Sequence, residues 1–155
     1  MAIKKIVTDF ETDYVLVGVA TSLREYKFCY HLNKLLGYDF IKQSDLVFES
    51  GDRSRDISFS VFRGESEENT NTFRVFSNKA LGELLLPEMS GYDYIIQISG
   101  KFTDEESEQL TAGIKQFPET VLCAVIPPKK IRNHARLIYE EEKTTVKPRI
   151  KRNFL

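Results

Sequence analysis

The chain has 155 residues, 41% of them hydrophobic and 29% charged, which suffices for one domain with a core of its own. A net charge of −1 provides no overall field for nucleic acid or for an acidic partner. No apolar run approaches the roughly 20 residues of a membrane-crossing helix, and the start, Met-Ala-Ile-Lys-Lys-Ile-Val-Thr-Asp-Phe-Glu, turns acidic where a signal peptide turns apolar. The two cysteines, Cys29 and Cys123, each sit in an apolar stretch and read as small core residues, not as a disulfide framework. These features point to the cytoplasm.

Residues Met1 to Asp13 alternate weakly and suit an edge strand or an arm. Tyr14 to Ala20 is a continuous apolar run, the mark of a central strand covered on both faces. Ser22-Leu23-Arg24-Glu25 then matches a capping box and predicts a helix to about Leu36, with Gly37 just past its end. Phe28, Cys29, Leu32, Leu35 and Leu36 form its core stripe; Tyr26 and Tyr30 form a second patch. His31 flanks the stripe. It lies two positions from Cys29, so one helix cannot offer both to a metal.

Strand signals follow at Phe40-Ile41, Leu46 to Phe48, Ile57 to Val61 and Thr72 to Phe76, with turns at Ser50-Gly51-Asp52 and at the polar loop Gly64 to Asn71. They predict an antiparallel meander. Arg53, Arg55, Arg63 and Arg74 near it raise the question of RNA, but Asp52, Asp56 and Glu65 neutralise the neighbourhood and no RNP pattern is present. A charged outer face over an aromatic inner face is the expectation. Asn78 to Leu86 suits a short helix stopped by Pro87. Tyr92 to Ser99 reads as a strand, and Thr103-Asp104-Glu105-Glu106 as a second capping box. The helix it opens carries the stripe Leu110, Ile114 and Phe117, and Gly113 is expected to let it pack closely on the sheet. Thr120 to Ile126 is a second continuous apolar strand, closed by Pro127-Pro128.

The segment Leu86-Pro87-Glu88-Met89-Ser90-Gly91-Tyr92-Asp93-Tyr94 resembles the signature of the IPExxxVDY family of small bacterial proteins. Leu86 stands for the family's Ile and Tyr92 for its Val; Pro87, Glu88, Asp93 and Tyr94 match. The opening to Leu36, with its strand, Thr-Ser-Leu and aromatic-rich helix, is similar as well. The resemblance implies a cytosolic bacterial protein, of the Bacteroidota, and implies no activity. In the residues themselves, Pro87 and Gly91 shape a turn, and Glu88 and Asp93 take solvated and backbone-bonding roles. The other reading makes the two carboxylates a pair across that turn.

Glycine cradles for nucleotides, a Gly-x-Ser-x-Gly elbow and metal-ligand spacing are all missing, so no cofactor, metal or catalytic residue is signalled. His134 cannot recruit either cysteine as a nucleophile while both thiols lie in apolar surroundings.

The order of elements predicts an α+β fold: an antiparallel or mixed sheet with two main helices on one face, ferredoxin-like β-α-β halves and an extra strand meander. Its inner strands are expected at Tyr14–Ala20, Tyr92–Ser99 and Thr120–Ile126. One domain covers residues 1–142. Residues 143–155 are a basic tail in which Lys147, Arg149, Lys151 and Arg152 offer an anion contact. Three functions stay open. The first is a non-enzymatic ligand-binding or protein-interaction module, similar in shape to ACT and RAM regulatory domains and pairing as a homodimer with a small-molecule or protein partner. The second is an RNA- or ribosome-associated factor using the tail. The third is an enzyme with a carboxylate site at Glu88 and Asp93. Nucleic acid is the less expected partner, and a membrane is not expected.

Overall fold

The structure, a computed structural model, describes residues 14–49, 56–65, 71–132 and 136–137. In chain order the elements are β1 (Tyr14–Thr21), α1 (Glu25–Leu36), β2 (Ile41–Lys42), β3 (Leu46–Glu49), β4 (Asp56–Phe59), β5 (Val61–Glu65), β6 (Thr72–Ser77), β7 (Lys79–Ala80) and β8 (Glu83–Leu84). A 3-10 turn at Pro87–Met89 leads to β9 (Tyr94–Ser99), α2 (Asp104–Lys115), β10 (Thr120–Ile126) and a second 3-10 turn at Pro128–Lys130. Six strands form one sheet in the order β10-β1-β9-β6-β5-β2, with every neighbouring pair antiparallel. β3–β4 and β7–β8 are separate small hairpins. The fold is α+β. Among the described residues no helix is long and apolar enough to cross a membrane.

The unbroken apolar run in β1 has the expected cause: the strand lies inside the sheet and both its faces are covered. Val17 and Val19 join Phe28, Cys29 and Leu32 of α1, Leu110 and Ile114 of α2, and Ile96 and Ile98 of β9 in one core. Tyr14 and Leu16 join a second core on the opposite face. There Leu46, Ile57 and Phe59 of the β3–β4 hairpin, and Leu85, Leu86 and Met89 from the loop before β9, form the cover. The sheet is thus the middle of three layers.

Four expectations change. The segment Asn78 to Leu86 is not a helix but the β7–β8 hairpin, because Leu81 (φ 49°) and Gly82 (φ 81°) both enter the left-handed region. Two consecutive positive φ angles make the kind of tight turn whose twist suits a hairpin. The alternation from Ile57 to Val61 is not one strand. The chain leaves the small hairpin at Ser60 and enters the main sheet at Val61, so Val61 and Phe62 serve the two opposite cores. Gly113 packs against α1, not against the sheet: a Cβ there would lie 2.8 Å from Leu35 Cδ1. β10 is not an inner strand. It is an edge, with only β1 beside it among the described residues, and much of its apolar surface faces solvent.

Candidate functional site

The loop between β8 and β9 is held by one side chain, Asn78, which is fully buried. Its Nδ2 donates to the carbonyls of Met89 (2.9 Å) and Tyr92 (3.0 Å). Its Oδ1 accepts from Leu86 N–H at 2.8 Å. Its backbone carbonyl accepts from Leu85 N–H, and its own N–H donates to the Asp93 carbonyl, both at 2.9 Å. A buried amide with every partner met is inexpensive to hold and very costly to disturb. Gly18 completes the seat. A Cβ on it would fall 2.7 Å from the Tyr92 ring and 2.9 Å from Met89 Cε, so glycine in β1 is what lets the loop lie on the sheet.

The loop delivers Asp93 and Tyr94 to the start of α1. Asp93 N–H donates to the Val19 carbonyl at 2.8 Å, and Asp93 Oδ2 accepts from Thr21 N–H at 2.9 Å. Lys79 Nζ lies 3.1 Å from the other carboxylate oxygen, with both side chains partly exposed. The Tyr94 hydroxyl donates to the Leu23 carbonyl at 2.6 Å, and its ring stacks on Phe28 at 4.7 Å. Burial, reinforced by Glu25, Cys29 and Asp93, pushes the Tyr94 hydroxyl well above the ordinary tyrosine range, so it stays a donor.

Thr21, Ser22, Leu23, Arg24, Glu25, Tyr26, Ser77, Lys79, Asp93 and Tyr94 line a cleft of about 560 Å³ that is broadly open to solvent. The capping box expected at Ser22 and Glu25 does not form. Leu23 N–H is taken by Thr21 Oγ1, and the Leu23 carbonyl by Tyr94, so the chain stays extended through Arg24, which occupies the N-cap position. The Ser22 hydroxyl turns away to donate to the Glu119 carboxylate. The Arg24 side chain makes no cap to the first turn of α1, and that turn borders the cleft.

The segments that carry the family resemblance therefore meet: Thr21-Ser22-Leu23 from the opening, Asp93 and Tyr94 from the second segment. Leu86 is buried in the loop and Pro87 starts its 3-10 turn. Tyr92 lies over Gly18 instead of in the strand. Glu88 is exposed on that turn and is not part of the cleft lining, so the cleft contains one member of the suggested carboxylate pair. Sequence reasoning missed the consecutive residues Ser77, Asn78 and Lys79, a stretch that reaches the cleft because β6 pairs with β9, with Ser77 opposite Tyr94.

Other candidates take structural places. The His31 ring rests 5.2 Å from the Phe117 ring. Both cysteines are free and buried. Burial, with help from Glu25, pushes the Cys29 thiol up to about 12. Burial pushes the Cys123 thiol up to about 11 against the opposing pull of Lys115. Arg63 is opposite Arg74 in the sheet and is bound to Glu65 at 2.5 Å. Among the described residues no group of three or more His, Cys, Asp or Glu gathers to hold a metal. Residues 1–13, Arg53, Arg55, His134, the boundary at 142 and the tail contacts Lys147, Arg149, Lys151 and Arg152 lie outside the described residues. No family model, curated protein or solved structure matches this chain.

Proposed function

We propose that this chain is a non-enzymatic binding module of ferredoxin-like shape whose cleft takes a small ligand with opposite charges at its two ends, as an amino acid has. The cleft itself carries the reading. The Lys79 ammonium and the Arg24 guanidinium suit a carboxylate, and the Asp93 and Glu25 carboxylates suit an ammonium. About 560 Å³ is in the range of small-molecule sites. The shape is supported by strand order. If β1, β6, β9 and β10 are taken as the four core strands, their order is last, first, third, second, with a helix after the first and the third, as in a split β-α-β pair. β2 to β5 are then an insertion before the second core strand. We also read the chain as a relative of the IPExxxVDY proteins. The support is that both resembling segments converge on one cleft. In this reading the protein works in the cytoplasm, where buried thiols stay unpaired.

Thermal unfolding and calorimetry of the full chain with a panel of free amino acids test the proposal. A ligand at a hundred times its Kd stabilises the folded state by about 2.7 kcal/mol. Binding by at least one member is expected, weakened about tenfold or more in Lys79→Met, which removes a charge-assisted contact. No shift with any member at millimolar concentration overturns the proposal, as does binding that Lys79→Met leaves unchanged.

A further inference from the structure

An edge strand normally carries its own protection: a lysine, a proline or a bulge that spoils pairing with another chain. β10 reads Thr-Val-Leu-Cys-Ala-Val-Ile, with no charge and no proline inside it. Its register against β1 slips between Ala20 and Thr21, which leaves Val121 unpaired, but this irregularity touches one end only. From Leu122 to Ile126 the ladder is regular and its outer side is open among the described residues. Three apolar side chains of β10 are exposed, Val121 at 84%, Leu122 at 46% and Val125 at 45%, while Cys123 between them is buried. Clustered apolar exposure along unpaired backbone is the physical signature of a missing strand.

The charges around β10 say which strand. Glu119, exposed, stands immediately before it, and Lys129 and Lys130, also exposed, stand immediately after Pro127-Pro128. A second copy of β10 laid parallel sets like charges together. Laid antiparallel, it brings the acidic end of each copy to the basic end of the other. We infer that two copies of this chain pair antiparallel through β10 about a two-fold axis near Ala124, joining their sheets into one. In that register Leu122 faces Ile126 of the second copy, and Val125 lies beside its Cys123. The contact is isologous and closes on itself, so assembly stops at two. It uses the edge, not the cleft, and stands or falls independently of ligand binding.

Sedimentation velocity on the full chain, over a range of concentrations, tests the inference. The expected result is a dimer with a dissociation constant on the order of micromolar. Leu122→Lys is expected to weaken it about tenfold or more, since each substitution is felt twice across the axis. Val121→Lys, at a side chain clear of its own core, is expected to weaken it less while leaving the circular dichroism spectrum unchanged. Glu119→Lys is expected to weaken dimerisation, and Lys129→Glu with Lys130→Glu in the same chain to restore it. A monomer at every concentration up to roughly 100 µM, far above that constant, overturns the inference. So do a dimer insensitive to Leu122→Lys, a charge exchange that fails to restore pairing, and species that keep growing with concentration.

Discussion

The two helices begin with the same local instruction and obey it differently. Thr103 and Glu106 at α2 form the reciprocal pair: the Thr103 hydroxyl accepts from Glu106 N–H at 3.0 Å, and the Glu106 carboxylate accepts from Thr103 N–H at 2.8 Å. Ser22 and Glu25 at α1 have the same spacing and do not. The difference lies in what surrounds them. α2 starts at an exposed stretch, Thr103 to Glu106, and its cap comes from those residues themselves. α1 starts where β1, β9 and the loop before β9 converge, and contacts distant in sequence claim Thr21, Ser22 and Leu23 first. A capping motif is thus a statement about available partners, and it fails where tertiary structure supplies others. The failure leaves the first turn of α1 open toward the cleft.

Substitutions can break this contrast in order of size. Asn78→Ala is expected to have the largest effect, roughly 3–5 kcal/mol in urea unfolding, because it strands several buried backbone groups at once. It loosens the loop that carries Asp93 and Tyr94 to α1. Amide exchange should therefore speed up at Thr21, whose N–H bonds Asp93, and at Phe28, whose N–H bonds the Arg24 carbonyl, while Glu106 at the capped start of α2 keeps its protection. Equal acceleration at both helix starts would contradict the contrast. Tyr94→Phe keeps the stack on Phe28 but removes the donor to Leu23, with an expected loss of about 1–2 kcal/mol by the same measurement. At the small end the two caps can be compared directly. Thr103→Ala should lower stability by about 1 kcal/mol. Ser22→Ala should lower it by less than about 0.5 kcal/mol, as for an exposed polar contact. If Ser22→Ala proves the more damaging, α1 is capped after all in solution.

Much of the architecture was legible because it rests on local patterns. β1, β9, both helices, the α2 cap and the burial of both cysteines follow from apolar runs and periodicity. What was illegible depends on remote partners. Ala80-Leu81-Gly82-Glu83-Leu84 is compatible with a helical turn, and only the positive φ at a leucine makes it a hairpin. β10 has the composition of an inner strand, and composition cannot say whether a strand has one neighbour or two. Asn78 read only as the first residue of a short helix, because its value comes from Leu86, Met89 and Tyr92 folding back onto it. The cleft was half legible. The resemblance singled out Asp93, Tyr94 and the Thr-Ser-Leu segment separately, but nothing in their spacing announced that they meet.

The position of β1 also sets a timetable. It is the first strand of the described chain, yet its two sheet neighbours are β9, which begins at Tyr94, and β10, which ends at Ile126. Among the described residues no hairpin partner close in sequence shelters it. During synthesis an eight-residue apolar strand with two open edges waits while more than half of the chain is made. Closing the sheet is therefore a late event that gathers distant segments, the kind of topology that folds slowly and leaves sticky surface on view in the meantime. The same centrality that buries β1 on all sides in the finished protein makes it the segment most in need of protection before the protein is finished.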